Sequence, residues 1–198
     1  MSGTVRSRKQ RRVAGTAGRT LFLLAIILIS IIYFLVTTLT REIPAAGSFF
    51  GHMIGVLGFL LMLSTETLYS FRKRTNRARW GSMQSWLKLH IFTGLVGPYM
   101  VLLHTSWKFN GLAGITLLLT IIIVISGFIG RYIYTLIPRG VDGMEMETTG
   151  TQIQAAVLTR ARRMFAIWHA IHIPLGIALF TAAFIHVGAS LYYATLLR

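Results

Sequence analysis

Apolar residues along this chain gather into five long stretches, roughly 20–40, 50–70, 87–106, 111–136 and 165–194, separated by polar or basic segments. Each approaches or exceeds the ~20 residues with which a helix crosses the hydrocarbon layer of a bilayer. None alternates strictly as a barrel strand does, and an isolated strand leaves its backbone unsatisfied in lipid, so helices are predicted throughout. The expectation is an all-α integral membrane bundle of five transmembrane helices. Residues 1–19 read as a basic tail and residues 20–198 as one transmembrane domain, whose long connection is a loop at about 138–163. Within that loop "TQIQAAVLTRARRMF" turns helix-like, as an amphipathic approach to the fifth span. The first stretch reads as a retained anchor, because its apolar core of about 20 residues exceeds the ~7 to 15 of a cleaved signal sequence.

Charge then orients the bundle. The net charge of +15 would suit a nucleic-acid binder, but the basic residues are not spread over a soluble surface. Six precede the first span, another six lie between the second and third (Arg72, Lys73, Arg74, Arg77, Arg79 and Lys88), and Arg131, Arg139, Arg160, Arg162 and Arg163 cluster between the fourth and fifth. Seventeen of the twenty Lys and Arg residues thus fall on one side, leaving Arg41, Lys108 and Arg198 on the other. That asymmetry predicts a multi-pass protein of the inner (cytoplasmic) membrane with the N-terminus inside and the C-terminus outside. The runs "VRSRKQRR" and "FRKRTNRAR" become a collar for anionic lipid, and no nucleic-acid partner is expected. Trp80, Trp86, Trp107, Tyr192 and Tyr193 at span ends fit an interfacial aromatic belt. The chain has no cysteine, so thiolate metal sites and disulfides are excluded, and no nucleophile, base and orienter set suggests hydrolysis.

Six histidines, His52, His90, His104, His169, His172 and His186, fall in or beside the apolar stretches. Ionisable side chains are costly there and tend to face the bundle interior with a function. His90 and His104 are fourteen residues apart, and so are His172 and His186. At ~100° and 1.5 Å per residue, fourteen residues leave a phase error of about 40° and a rise of roughly 21 Å, so each pair shares a helix face at two depths. The third and fifth spans run in the same direction, which sets His90 level with His172 and His104 level with His186. Two such helices can grip two haem groups stacked across the bilayer, each iron held by one neutral imidazole from each helix. Gly94 and Gly97, with Gly176, Gly188, Gly127 and Gly130, offer places for a flat macrocycle to approach the backbone. His169 competes with His172 for the inner position, although it lies about 100° out of phase with His186. It could instead meet a haem propionate or border a quinone pocket.

The two histidine pairs on alternate helices, and the stretch "WHAIHIPLGIALFTAAFIHVGASLYY", resemble the ferric-reductase-like and related bis-histidine diheme cytochrome b membrane domains. The resemblance covers the third to fifth spans. It implies two haem b groups with axial ligands His90, His104, His172 and His186. Reductases of that kind often carry a flavin and nicotinamide module, but no Gly-rich dinucleotide fingerprint occurs here, so such chemistry would come from another subunit.

Arg131 reads either as a clamp on a haem propionate or as an interfacial anchor beside Tyr132 and Tyr134. Glu66, the acid inside a predicted span, is expected to snorkel to the interface, with proton delivery to a quinone as the alternative. His52 reads as an interfacial structural residue. The function expected is an electron-transfer subunit of an oxidoreductase complex, not a stand-alone catalyst. It would relay electrons between the quinone pool and a peripheral redox subunit, whether a multihaem cytochrome c, an iron-sulfur protein or a flavoprotein. The alternatives are a self-contained reductase of ferric iron or a small acceptor, and a haem-free membrane scaffold.

Overall fold

The computed structural model of the protein describes residues 3–74, 83–137 and 152–196. Those residues form five helices and no strand: α1 Gly3–Thr40, α2 Phe49–Arg74, α3 Met83–His104, α4 Gly111–Thr135 and α5 Gln152–Leu196. Each contains a segment long and apolar enough to cross a membrane. Two helices exceed the predicted spans. The first runs back through the basic tail to Gly3, and α5 is one continuous helix of 45 residues. Residues 152–163, read from the sequence as a helix-like approach within the loop, are helical and continuous with the fifth span. The physical reason is local: from Gln152 to Ile173 there is neither Gly nor Pro, and Ala, Gln, Leu, Arg and Met favour helix. The remainder of the predicted loop, with Arg139, Asp142, Glu145 and Glu147, lies outside the described residues.

The tightest packing joins α2 to α3 as an antiparallel pair. A Cβ on Gly58 would stand 2.9 Å from the Gly97 carbonyl oxygen, and one on Gly97 would stand 2.9 Å from the Gly58 oxygen and 2.8 Å from Met62 Cγ. The two backbones touch, and only glycine permits it. In a membrane, where lipid is as apolar as Leu, helices associate through such close approach and through interhelical hydrogen bonds. Here the Thr65 hydroxyl donates to Thr93 Oγ1 at 2.6 Å, and Thr93 donates to the Leu89 carbonyl at 2.9 Å.

A second antiparallel pair is α4 with α5. The Trp168 indole donates to the Ser126 carbonyl at 2.7 Å, and its ring fills the notch left by Gly130, where a Cβ would overlap it. Contacts between α3 and α4 join the pairs on one side. On the other, Phe59 of α2 meets Phe180 and Phe184 of α5 at centroid distances of 6.4 and 5.4 Å. The four helices therefore close a ring in the order α2, α3, α4, α5, with α3 and α5 parallel at diagonal corners. Helix α1 lies outside the ring, packing Phe22, Ala25, Ile29 and Tyr33 onto Ile54, Val96, Met100 and Leu103. Ser30 and Tyr99 hydroxyls, 2.7 Å apart, tie it to α3.

At one end, the Ser106 hydroxyl donates to the Pro44 carbonyl, so the α1–α2 and α3–α4 connections lie together. The outer surface is apolar, with Leu24, Ile31, Phe34, Ile121, Phe128 and Ile177 exposed. Such a surface suits lipid and not water.

Gly58→Leu drives a side chain into the α2–α3 contact, where overpacking of a tight site typically costs 1–3 kcal/mol. Thermal unfolding in detergent is expected to show a lowered Tm for this variant and an unchanged one for Gly18→Leu, whose Cβ meets nothing within 4 Å. Equal Tm values for the two would refute the close crossing.

Candidate functional site

Because α3 and α5 are parallel and diagonal, His90 and His172 fall at one level of the bundle and His104 and His186 at the other. All four rings are half-buried. His172 lies within electrostatic range of His90 and of His169, and His186 lies within range of His104. The residues singled out by spacing thus lie within electrostatic range of one another in two pairs, one at each level.

Three of these rings are held at Nδ1. His90 Nδ1 is 3.2 Å from the Thr65 carbonyl, and His104 Nδ1 is 2.8 Å from the Gly51 carbonyl, both on α2. A carbonyl only accepts, so in a neutral ring each Nδ1 carries the proton and Nε2 keeps its lone pair. His172 Nδ1 is 3.0 Å from Ser126 Oγ on α4. The His186 ring makes no hydrogen bond among the described residues; its backbone carbonyl accepts from Ser190 at 2.8 Å.

The glycines divide into distinct roles. Gly97 serves the α2–α3 crossing, which corrects its expected place beside a cofactor: its absent side chain makes room for α2. Gly94 also turns toward α2, with Thr65 Cγ2 3.4 Å from the position of a Cβ. Gly55, which the spacing argument passed over, carries the His104 ring, since a Cβ there would come within 2.6 Å of it. Gly176 is buried, yet a Cβ on it would meet only Glu66 Oε2 at 3.9 Å. Room for a methyl group therefore lies beside Gly176, one turn from His172. Between the two histidine levels Phe59 meets Phe180, and it also meets the exposed Phe184, two residues from His186.

Other expected residues fall as follows. His169 sits against Phe165 at 5.5 Å and edge-on to Trp168 at 5.4 Å, whereas His172 stacks on Trp168 at 4.7 Å with planes 28° apart. Trp168 thus packs against a histidine from its own helix. Arg131 is exposed at the end of α4, with no hydrogen bond or ion pair among the described residues. Glu66 is half-buried: its carboxylate accepts from Ser70, one turn nearer the basic end of α2, at 3.3 Å and lies beside Gly176 of α5, within electrostatic range of His90. His52 is exposed and meets the His104 ring edge-on at 6.4 Å. Ser126 was absent from the expectations, and nothing in the sequence separates it from other span hydroxyls. Among the described residues no three or more His, Asp or Glu side chains gather into a metal site, so paired imidazoles are the donors on offer.

Compared with protein-family models, curated proteins and solved structures, the chain finds no match. The site is thus read on its own geometry.

Histidine ¹⁵N NMR checks that geometry without a cofactor. His90 and His104 are expected as Nδ1–H tautomers, and Gly55→Val, by filling the seat of the ring, should shift the His104 signals and spare those of His90. Nε2–H tautomers at both positions would contradict the carbonyl contacts.

Proposed function

We propose that the chain is a diheme cytochrome b subunit of a larger electron-transfer complex, of the bis-histidine type that its sequence resembles. One haem b would lie between His90 and His172, the other between His104 and His186. The observation that carries this reading is the arrangement of the two histidine helices as parallel, diagonal members of the ring, with their imidazoles within electrostatic range in pairs at two levels.

The residues fit the group. Axial coordination asks for two neutral imidazoles per iron, each oriented by a bond at its second nitrogen. The carbonyls of Thr65 and Gly51 orient two of the rings and the Ser126 hydroxyl a third. The absent side chain of Gly176, one turn from His172, leaves room where a Cβ would meet only Glu66. A site of two donors is sufficient because the macrocycle supplies the other ligands.

Bound haem supplies a one-electron ferric/ferrous couple, and two histidine ligands leave its iron no open position for a substrate. This chain's residues accordingly hold and tune, while chemistry belongs to a partner or a quinone site. The diagonal helices keep the two levels roughly 21 Å apart along the bundle axis, by the rise of fourteen helical residues. With seventeen of twenty basic residues on one side, the N-terminus lies inside, His90 and His172 form the cytoplasmic level, and the protein is a multi-pass component of the inner membrane. Electrons pass between the quinone pool and a peripheral redox subunit. The short 41–48 and 105–110 connections offer little from which to build an acceptor site for a self-contained reductase.

A reduced-minus-oxidised absorption spectrum of the purified chain is expected to show b-type haem. His172→Ala should remove one of two haem signals, and His169→Ala should leave both. Absence of any b-type signal would leave a haem-free scaffold, and loss of a signal in His169→Ala would reassign the ligand.

The absence of native cysteine makes orientation directly testable. A single cysteine at Ser48 or Asn110 should react with an impermeant maleimide from outside, and one at Asn76 or Gly150 only after permeabilisation. The reverse pattern would invert the topology.

A further inference from the structure

The Nδ1 atoms of His90 and His104 meet backbone carbonyls, and that of His172 meets a side chain. That side chain, Ser126, is itself fixed. Trp168 Nε1 donates to the Ser126 carbonyl at 2.7 Å and lies 3.2 Å from Ser126 Oγ, while its indole stacks on His172 at 4.7 Å. The indole is locked in turn by Gly130, the one residue whose missing Cβ leaves room for it. Trp168 thus touches His172 twice, by its face and through the serine that it holds.

We propose that Ser126 and Trp168 are positioning residues for His172, which fix its ring plane and proton and set the redox potential at that level of the bundle. This rests on the diheme reading above. If Nε2 of His172 binds iron, Nδ1 carries the proton, and Ser126 Oγ, facing it, must accept it. Such a bond makes the imidazole a stronger electron donor, which stabilises the oxidised metal. The serine therefore lowers the potential of the haem at the His90 level. The same contacts distinguish the orientation of the two neighbouring rings: His172 stacks on the indole face, and His169 meets the indole edge-on, beside Phe165.

The test is a spectroscopic redox titration of the purified, haem-loaded chain. Ser126→Ala is expected to retain two haem groups and to raise the midpoint potential of one component while leaving the other in place. Ser126→Thr, which keeps the hydroxyl, should return that component to its original value. Trp168→Phe keeps an aromatic face but loses the N–H, and should move the same component in the same direction by a smaller amount. This variant also decides the matter if Ser126→Ala does not fold. Unchanged potentials in both variants, a common shift of both components, or failure of Ser126→Thr to restore the value would overturn the assignment. A wild-type chain without b-type absorption would instead overturn the diheme reading itself, and this inference with it.

Discussion

The backbone contact between Gly58 and Gly97 is the pivot on which the rest of the arrangement turns. An imidazole inside an apolar bundle needs a polar partner, because an unpaired polar group removed from water is costly. Helix α2 provides partners from its own backbone, and only because it lies so close. Gly58 stands midway between Gly51 and Thr65, and Gly97 stands midway between His90 and His104. One crossing at the centre of two antiparallel helices therefore carries both carbonyls to both rings, seven residues away on either side. The fourteen-residue interval of the histidines is matched by a fourteen-residue interval of their acceptors.

The second helix pair solves the same problem by other means. Between α4 and α5 the close contact is filled by an indole in a glycine notch, and the histidine is met by a hydroxyl. The two sides of the bundle thus differ chemically, with carbonyls on the α2 side and a serine on the α4 side. At the far level the His186 ring has no hydrogen bond among the described residues. The two histidine pairs are equal in spacing and unequal in surroundings, and in a diheme protein that inequality separates two potentials.

The fold was largely legible in the sequence because its dominant signal, long apolar stretches, reports helices without reference to neighbours. Helix ends were less legible. Residues 152–163 read as a helical approach separate from the fifth span, but no breaker divides the two and α5 runs through both. In the site, the histidine spacing was visible because helical geometry is periodic. Their partners were hidden, since a backbone carbonyl such as that of Gly51 has no signature in the side-chain sequence. The glycines showed only that room was needed. That Gly97 makes room for α2, Gly55 for an imidazole and Gly130 for an indole depends on which helices meet. The neighbours of Glu66 were hidden for a similar reason: that α5 lies alongside its carboxylate, at Gly176, is not written in α2. The small 4-residue steps from Gly51 to Gly55 and from Glu66 to Ser70 were the available hints, weak until the neighbouring helices were known.

The most direct measurement of the central claim is haem quantification by pyridine haemochrome joined to electron paramagnetic resonance of the oxidised, purified chain. Two haem b per polypeptide, both low-spin as two imidazole ligands require, are the predicted result. A stoichiometry of one or none, or a high-spin signal indicating an open axial position, would contradict the assignment of His90 with His172 and His104 with His186.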